Sequence, residues 1–204
     1  MGDKYWKATW FCAFLVVFVQ LTGVNAIMFY SNSILQKMET DGKAVLTPTL
    51  GTVLIGVINF VGSIFSFLPV KYLSRKFLFC VGEFVMAASL IVLGFSALNS
   101  ISSLSIVMMM LINFAFSITM GALFWTYVAE VVIDTGLGFC FLVLKGTAVI
   151  ITLTTELMME SALNSWGVFW MYGGLTSIGF FYFLIFMRET KGLTDKQKKS
   201  LYSK

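Results

Sequence analysis

Long apolar runs separated by short polar stretches set the pattern of this chain. Each run is close to the roughly 20 residues that an α-helix needs to cross the hydrocarbon core of a bilayer. The runs are continuous rather than alternating, which favours helices over the strands of a membrane barrel. The pattern predicts an all-α membrane protein with six transmembrane helices over residues 8–29, 48–70, 77–98, 104–128, 139–158 and 166–187.

The composition excludes a soluble globular protein. Hydrophobic residues make up 58% of the chain, charged residues 12%, and the mean hydropathy is +0.89, whereas soluble domains carry about 25% charged residues. The chain has no histidine, and Cys12, Cys80 and Cys140 show no ligand spacing. No metal site, cofactor site or catalytic constellation can be assembled from these residues, so we expect no enzymatic activity.

Lysines and arginines are distributed unequally between the two sides of the predicted bundle. Lys37 and Lys43 fall in loops on one side, and nearly all the other cations fall on the opposite side. Because cationic loops are retained on the inner side of a membrane, both termini are predicted to lie there. The same bias explains the net charge of +4 without a nucleic-acid partner.

The connections between the predicted spans are mostly short. The longest is an outer loop over residues 31–46, and the inner tail 188–204 is too polar to enter lipid but could form a short surface helix. Tight connections make consecutive helices neighbours. We therefore expect one six-helix transmembrane domain over residues 1–204.

Polar and aromatic residues inside the predicted spans indicate which helix faces point inward. Gln20, Asn25, Asn59, Phe116 and Trp125 could line one cavity. The alternative is that the amides join helices by hydrogen bonds while the aromatic rings fill the core.

Charged residues within the spans are a sharper signal, because an isolated charge in lipid is costly. Glu83, Lys145 and Glu156 lie in or near span interiors. We expect each to pair with another helix or subunit, and a proton relay is the alternative. Arg75, Glu130 and Glu189, in contrast, are expected to meet at the inner ends of the spans.

Four segments carry motifs in a recognisable order. They are VQLTGVNAIMFYSNSIL at 19–35, GVINFVGSIFSFLPVKYLSRK at 56–76, GALFWTYVAE at 121–130 and RETKGLT at 188–194. Together they resemble the sugar porters of the major facilitator superfamily, which include the glucose transporters. The resemblance covers essentially the whole chain, but it corresponds to the C-terminal six-helix half of that fold.

The resemblance implies two sets of functional positions. The positions that match the family's sugar cavity are Gln20, Asn25, Asn59, Phe116 and Trp125. The positions that match its inner charge network, which holds the inward gate, are Arg75, Glu130 and Glu189.

Several positions depart from the family pattern. Ala122 and Phe124 occupy the two proline positions of the tenth-helix motif, and Leu137 replaces the arginine expected seven residues after Glu130. Prolines interrupt a helix and let it bend. The departures therefore predict a continuous helix that bends less, with a charge network that has lost members.

These features predict a non-enzymatic accessory subunit in which the sugar cavity is vestigial. Transport in the superfamily uses two six-helix halves around a midplane site, and we expect this chain to contain one. The expected partners are the lipid bilayer and other membrane subunits, in an assembly of the mitochondrial inner membrane such as a respiratory complex. The alternative is a half-size hexose or polyol transporter of the plasma membrane or an endomembrane, which works as a dimer or with a separate N-terminal half. Only this alternative includes a sugar as ligand.

Overall fold

The computed structural model describes residues 3–40, 47–161 and 163–202, and the regular structure within them is helical. The helices are α1 (Asp3–Leu21), α2 (Val24–Thr40), α3 (Pro48–Phe65), α4 (Phe67–Tyr72), α5 (Arg75–Leu98), α6 (Ser102–Phe116), α7 (Ala122–Val131), α8 (Asp134–Glu160), α9 (Asn164–Phe186) and α10 (Asp195–Lys199). A π-helical segment, Ser117–Gly121, joins α6 to α7.

Six stretches of the described chain are long and apolar enough to cross a membrane. They are Trp6–Gln36, Pro48–Tyr72, Arg75–Leu98, Ser102–Val131, Asp134–Glu160 and Asn164–Phe186. The predicted all-α fold with six transmembrane helices is therefore confirmed. Its bounds differ, because three of the spans are built from two helices in succession and most continue a few residues into the polar flanks.

The predicted outer loop over 31–46 is the largest difference in the helix bounds. Its residues to Thr40 continue α2, and residues 41–46 lie outside the described residues. Ile34 and Leu35 are buried there, and a methyl group at Gly51 of α3 would come within 2.5 Å of the Leu35 side chain. Close packing against α3 extends the helix, although the segment is rich in polar residues.

The first span bends at Gly23, between α1 and α2. Gly23 has a φ of +70°, and a Cβ at this position would lie 2.7 Å from a ring carbon of Tyr172 on α9. Only glycine satisfies both the left-handed backbone and this close approach. The bend places the end of α1 directly beside the start of α2.

The core of the bundle forms around α5, which packs most extensively against α9 and α6. Met86, Leu90 and Leu93 of α5 are fully buried. In contrast, α3 and α8 leave rows of large apolar side chains exposed, among them Val57, Phe60, Leu142, Leu153 and Leu157. These rows suit contact with lipid or with another protein.

The span Ser102–Val131 is not the continuous α-helix that the missing prolines predict. The π segment Ser117–Gly121 interrupts it just before the tenth-helix motif. Small residues leave room on two sides, because methyl groups at Gly62 of α3 and Gly82 of α5 would each lie 2.8 Å from Cβ atoms of the segment. A π segment thus replaces proline as the irregularity in this helix.

Both described ends of the chain lie at one end of the bundle. The ring of Phe11 on α1 stacks on the ring of Tyr202, with ring centres 4.5 Å apart. The prediction that both termini share one side agrees with this contact. Their placement on the inner side of a membrane stays a prediction.

Candidate functional site

The bend at Gly23 brings two amide side chains together at the top of a cavity. Asn25 donates a hydrogen bond from Nδ2 to Oε1 of Gln20 at 2.6 Å, and Gln20 donates from Nε2 to the carbonyl of Leu144 on α8 at 3.2 Å. Gln20 is buried, and its two hydrogen bonds fix the orientation of the amide. The site is therefore built on three helices rather than on a loop.

A cavity of about 340 Å³ lies beside this amide pair. Gln20, Asn25, Phe116 and Trp125, four of the five predicted cavity residues, line it. Small-molecule sites typically measure about 300–1,000 Å³ and combine apolar walls with a few fixed polar groups. The cavity has this character, since its lining combines the two amides with an aromatic wall formed by Phe29, Phe116, Phe124 and Trp125.

Trp125 forms the centre of the aromatic wall. Its ring centre lies 4.9 Å from that of Phe124 and 5.7 Å from that of Phe141, and the side chain is 40% exposed. The two neighbours restrict the indole while leaving part of it open to the cavity. An aromatic face of this kind can cover the C–H face of a sugar ring, while the amides can bond its hydroxyls.

The structure does not place Asn59 in the lining of this cavity. Asn59 lies on α3, half-buried, where its backbone carbonyl accepts a hydrogen bond from the Ser63 hydroxyl at 2.9 Å. The cavity walls come from α1, α2, α8 and the span of α6 and α7, whereas α3 packs on α2, α6 and the π segment. Asn59 therefore lies outside the lining of this cavity.

The structure adds Phe29, Phe124 and Lys145 to the predicted lining. The sequence marks Phe124 as unusual, since it occupies a proline position of the motif. That departure predicts a straighter helix but does not predict a residue that lines a cavity. Lys145 was treated as a charge to be paired. Its position in the cavity depends on which face of α8 turns toward Gln20.

Two of the intramembrane charges, Lys145 and Glu156, have an aromatic or hydroxyl neighbour in the part of the chain that the structure describes, and their pairing with another helix or subunit stays a prediction. Among the described residues, Lys145 forms no ion pair, and its Nζ lies 5.5 Å from the ring centre of Phe141. Glu156 is exposed and accepts a hydrogen bond from the Tyr30 hydroxyl at 3.4 Å. Lys145 and Glu156 are two residues of the long helix α8, eleven positions apart, so direct contact between them is out of reach.

Glu83 is the clearest exception to the pairing prediction. It is fully buried on α5, and neither carboxyl oxygen has a hydrogen-bond partner in the described part of the chain. A methyl group at Gly179 would lie 3.4 Å from Oε1 of Glu83 and 3.4 Å from the Phe18 side chain. The location is tightly packed, and within the described residues no cationic side chain forms an ion pair with Glu83.

The structure brings the predicted charge network of Arg75, Glu130 and Glu189 together where α5 begins and α7 ends. Arg75, at the start of α5, forms an ion pair with Glu130 on α7. The Glu189 carboxylate accepts hydrogen bonds from the backbone N–H groups of Arg75 and Lys76, each at 3.0 Å. Arg75 also donates to the Thr190 hydroxyl at 3.1 Å.

Glu189 is held as an anion at the amino-terminal end of α5. Burial by itself would raise the pKa of its carboxyl, but hydrogen bonds from the N–H groups of Lys191, Lys76 and Arg75 lower the pKa below its ordinary value. Unpaired N–H groups at the start of a helix favour a negative charge. Glu189 therefore caps α5 from the tail.

A second cation reaches Glu130 from the tail. Lys198 on α10 donates from Nζ to Oε1 of Glu130 at 2.9 Å. The sequence analysis missed Lys198, which lies 68 positions from Glu130. The only sequence signal was the absence of an arginine at Leu137, which left Glu130 short of one cation.

The end of the tail is also tied to the bundle. Tyr127 of α7 donates its hydroxyl hydrogen bond to the Arg188 carbonyl at 2.9 Å, and its hydroxyl lies 2.8 Å from that of Tyr202. Burial raises the pKa of Tyr202 to about 12, so the phenol remains protonated and able to donate. The tail is thereby fixed to α7, the helix that carries Glu130.

Comparison with known proteins agrees with this architecture. The family "Sugar (and other) transporter" matches residues 2–202. The chain is 28% identical over 189 residues to the facilitated trehalose transporter Tret1 of Polypedilum vanderplanki, covering 87% of this chain and 37% of that protein. It is 26% identical over 200 residues to the Tret1 of Aedes aegypti, covering 92% and 24%. These relatives are transporters by name, and the chain spans well under half of their length.

Solved structures show the same fold. The inward open conformation of the xylose transporter XylE from E. coli superimposes with a TM-score of 0.85 at 20% identity, covering 99% of this chain and 44% of that one. The proton:xylose symporter XylE bound to 6-bromo-6-deoxy-D-glucose superimposes with a TM-score of 0.81 at 19% identity. The described helices therefore have the arrangement of half a major facilitator fold.

Proposed function

Because the chain belongs to the family of sugar and other transporters, matched over residues 2–202, we propose that it takes part in carrying a sugar or polyol across a membrane. The observation that supports this is the cavity. Four residues from separate parts of the sequence, Gln20, Asn25, Phe116 and Trp125, converge on it and offer both amide and aromatic contacts. Small-molecule sites typically combine a cavity with a few fixed polar groups in this way.

The cavity needs a facing wall for transport. Transporters of this superfamily hold substrate between two six-helix halves that rock against each other. We propose that a second half, in the same polypeptide or in another, covers the open side of the cavity. The exposed apolar rows on α3 and α8 offer surface for such a contact or for lipid.

The charge network supplies a candidate inner gate. Arg75, Glu130 and Lys198 join α5, α7 and α10, and Glu189 fastens the tail to the start of α5. Opening of the inner side would require these contacts to break or to move together. We assign them the role of holding the inner ends of the helices in one arrangement.

An accessory subunit is the second candidate function. It is favoured by Ala122 and Phe124 at the motif's proline positions and by a tail that holds Glu130 from a second side. The tail contact stabilises one conformation, whereas the missing prolines are a departure from the family pattern in a span that the π segment still interrupts. No observation supports the mitochondrial location that was predicted for an accessory subunit. A transport role is consistent with the plasma membrane or an endomembrane.

Sugar uptake separates the two candidates. The protein, purified in mild detergent with any co-purifying partner, is reconstituted into vesicles, and uptake of labelled D-glucose, D-xylose and trehalose is measured. We expect saturable uptake of at least one of them, reduced by at least about tenfold in Trp125→Ala, because the aromatic wall is removed. If none of the three sugars shows saturable uptake, the result favours the accessory subunit.

Trp6→Ala is the matched control. Trp6 is 53% exposed and contacts the ring of Trp10, outside the cavity. It should keep wild-type uptake. Asn59→Ala tests the resemblance, which implies a sugar contact at a residue that is not in the lining of the cavity. We expect uptake to survive.

A further inference from the structure

A lysine lines the cavity beside the amide pair. Lys145 follows Leu144, whose carbonyl accepts the hydrogen bond from Gln20, and both residues line the cavity together with the amide pair. Lys145 lies eleven residues after the start of α8 at Asp134, or about 16 Å along the helix axis, in the middle of the span. An ionisable residue at this depth that faces a cavity marks a substrate or ion pathway.

In the part of the chain that the structure describes, no acidic side chain forms an ion pair with Lys145. No aspartate or glutamate is among the residues that line the cavity. Glu156 of the same helix is engaged with Tyr30, and Oε1 of Gln20 already accepts from Asn25. The contact that the structure gives the ammonium is the face of Phe141 at 5.5 Å, and the exposed side chain leaves the charge open to a ligand.

The geometry points to a sugar that carries one negative charge as the ligand of this cavity. We propose that a carboxylate-bearing monosaccharide, such as a hexuronate, binds with its carboxylate on Lys145 and its ring between the amide pair and Trp125. This inference rests on the proposed transport function and names the substrate class of the same site.

The lining also selects between kinds of anion. A single lysine supplies one positive charge without the two-pronged geometry of arginine. The lining contains no second cation to balance a phosphate dianion. A carboxylate leaves no charge uncompensated, and the cavity of about 340 Å³ leaves room for the sugar ring beside it.

Competition binding tests the preference. The reconstituted protein is titrated with D-glucuronate and D-glucose, and binding is followed by displacement of a labelled sugar. We expect D-glucuronate to bind about tenfold more tightly than D-glucose at low salt, with the ratio shrinking as salt is raised. Lys145→Met should bring the ratio close to one, while Lys145→Arg should keep most of it.

Lys71→Met is the matched control, because Lys71 lies at the far end of α4 and outside the cavity lining. It should leave the ratio unchanged. Acetate distinguishes a sugar acid from any small anion, and it should not displace the labelled sugar at concentrations where D-glucuronate does. Equal displacement by acetate would overturn the proposal.

The outcomes separate this inference from the transport proposal. If D-glucose and D-glucuronate both bind, with equal affinity and no effect of Lys145→Met, the cavity is a sugar site and the anion preference is wrong. In that case Lys145 is neutralised by an acid from a facing half. If no sugar binds at all, the transport proposal itself fails.

Discussion

Lys198 and Glu130 form an ion pair at 2.9 Å although 68 residues separate them in the chain. Both side chains are largely enclosed, with 14% and 17% of their surface exposed, so solvent screens the pair less than a surface pair. The contact ties the short helix α10 to the inner end of α7, where Arg75 approaches Glu130 from the other side.

Lys198→Met should loosen the tail without unfolding the bundle. The apolar stem is retained, the charge is lost, and Arg75 still compensates Glu130. A contribution of about 1 kcal/mol corresponds to roughly fivefold faster amide exchange in residues 195–201. Hydrogen exchange with mass spectrometry measures the change in exchange rate.

Lys196→Met is the control, because Lys196 is an exposed lysine of the same helix, and it should change the exchange rate little. Equal effects of the two variants would contradict a specific ion pair between Lys198 and Glu130.

Acidification should release the tail through Glu189. The pKa of this carboxyl is lowered in the folded protein relative to its ordinary value of 4.5. The stabilisation from a lowered pKa is complete above the ordinary value and is lost as the pH falls through the native pKa. Tail protection should therefore be constant from pH 7 to about pH 5 and decline below that.

Glu189→Gln isolates this contribution. At pH 7 the variant should show less tail protection than the wild type, because the amide carries no charge at the start of α5. The difference should shrink as the pH falls below 4.5 and the wild-type carboxyl becomes neutral. A difference that stays constant across this range would show that Glu189 acts through shape alone.

The parts of the structure that the sequence predicts are those carried by local pattern. Apolar runs predict the six spans, and the polar residues Gln20 and Asn25, five positions apart in the first span, are predicted to line one cavity. The Lys198–Glu130 contact is not predictable in this way, since it depends on how the tail folds back. No proline in the local sequence predicts the π segment. The space for it is provided by Gly62 and Gly82, which lie on other helices.

The environment of each charge is equally non-local. Whether Glu83 finds a partner depends on how α5 is rotated against α9, and one helical turn contains both enclosed and exposed positions. Within the described residues Glu83, Lys145 and Glu156 form no ion pair, and their pairing with another helix or subunit stays a prediction. The spacing of charges in the sequence does not show whether a charged side chain will line a cavity, contact an aromatic ring or be buried without a partner.

Gly23→Ala should destabilise the bundle strongly. Alanine would have to adopt a φ of +70°, and its Cβ would lie 2.7 Å from the Tyr172 ring. We expect a loss of about 2 kcal/mol or more, because backbone strain and overlap add. Thermal unfolding followed by circular dichroism in detergent measures it. Gly138→Ala is the matched control, since no atom lies within 4 Å of its added methyl, and it should leave the melting temperature unchanged or raise it.

Glu83→Gln should be tolerated, because the structure gives Glu83 the surroundings of a neutral acid. Both carboxyl oxygens are buried without a hydrogen-bond partner in the described part of the chain, and an ionised carboxylate there would be an uncompensated charge. Glutamine has nearly the same shape and no charge, so its effect on unfolding should stay below about 1 kcal/mol. Glu83→Lys should cost about 3–5 kcal/mol or prevent folding.

Infrared spectroscopy gives a second measurement that does not depend on stability. A neutral carboxylic acid has a C=O stretch that a carboxylate lacks, and the wild type at pH 7 should show one such band that Glu83→Gln removes. Glu160→Gln, at the exposed end of α8, is the control and should leave that band in place. If the wild type shows no acid band and Glu83→Gln unfolds more easily by several kcal/mol, Glu83 is an anion whose cationic partner comes from outside the described residues.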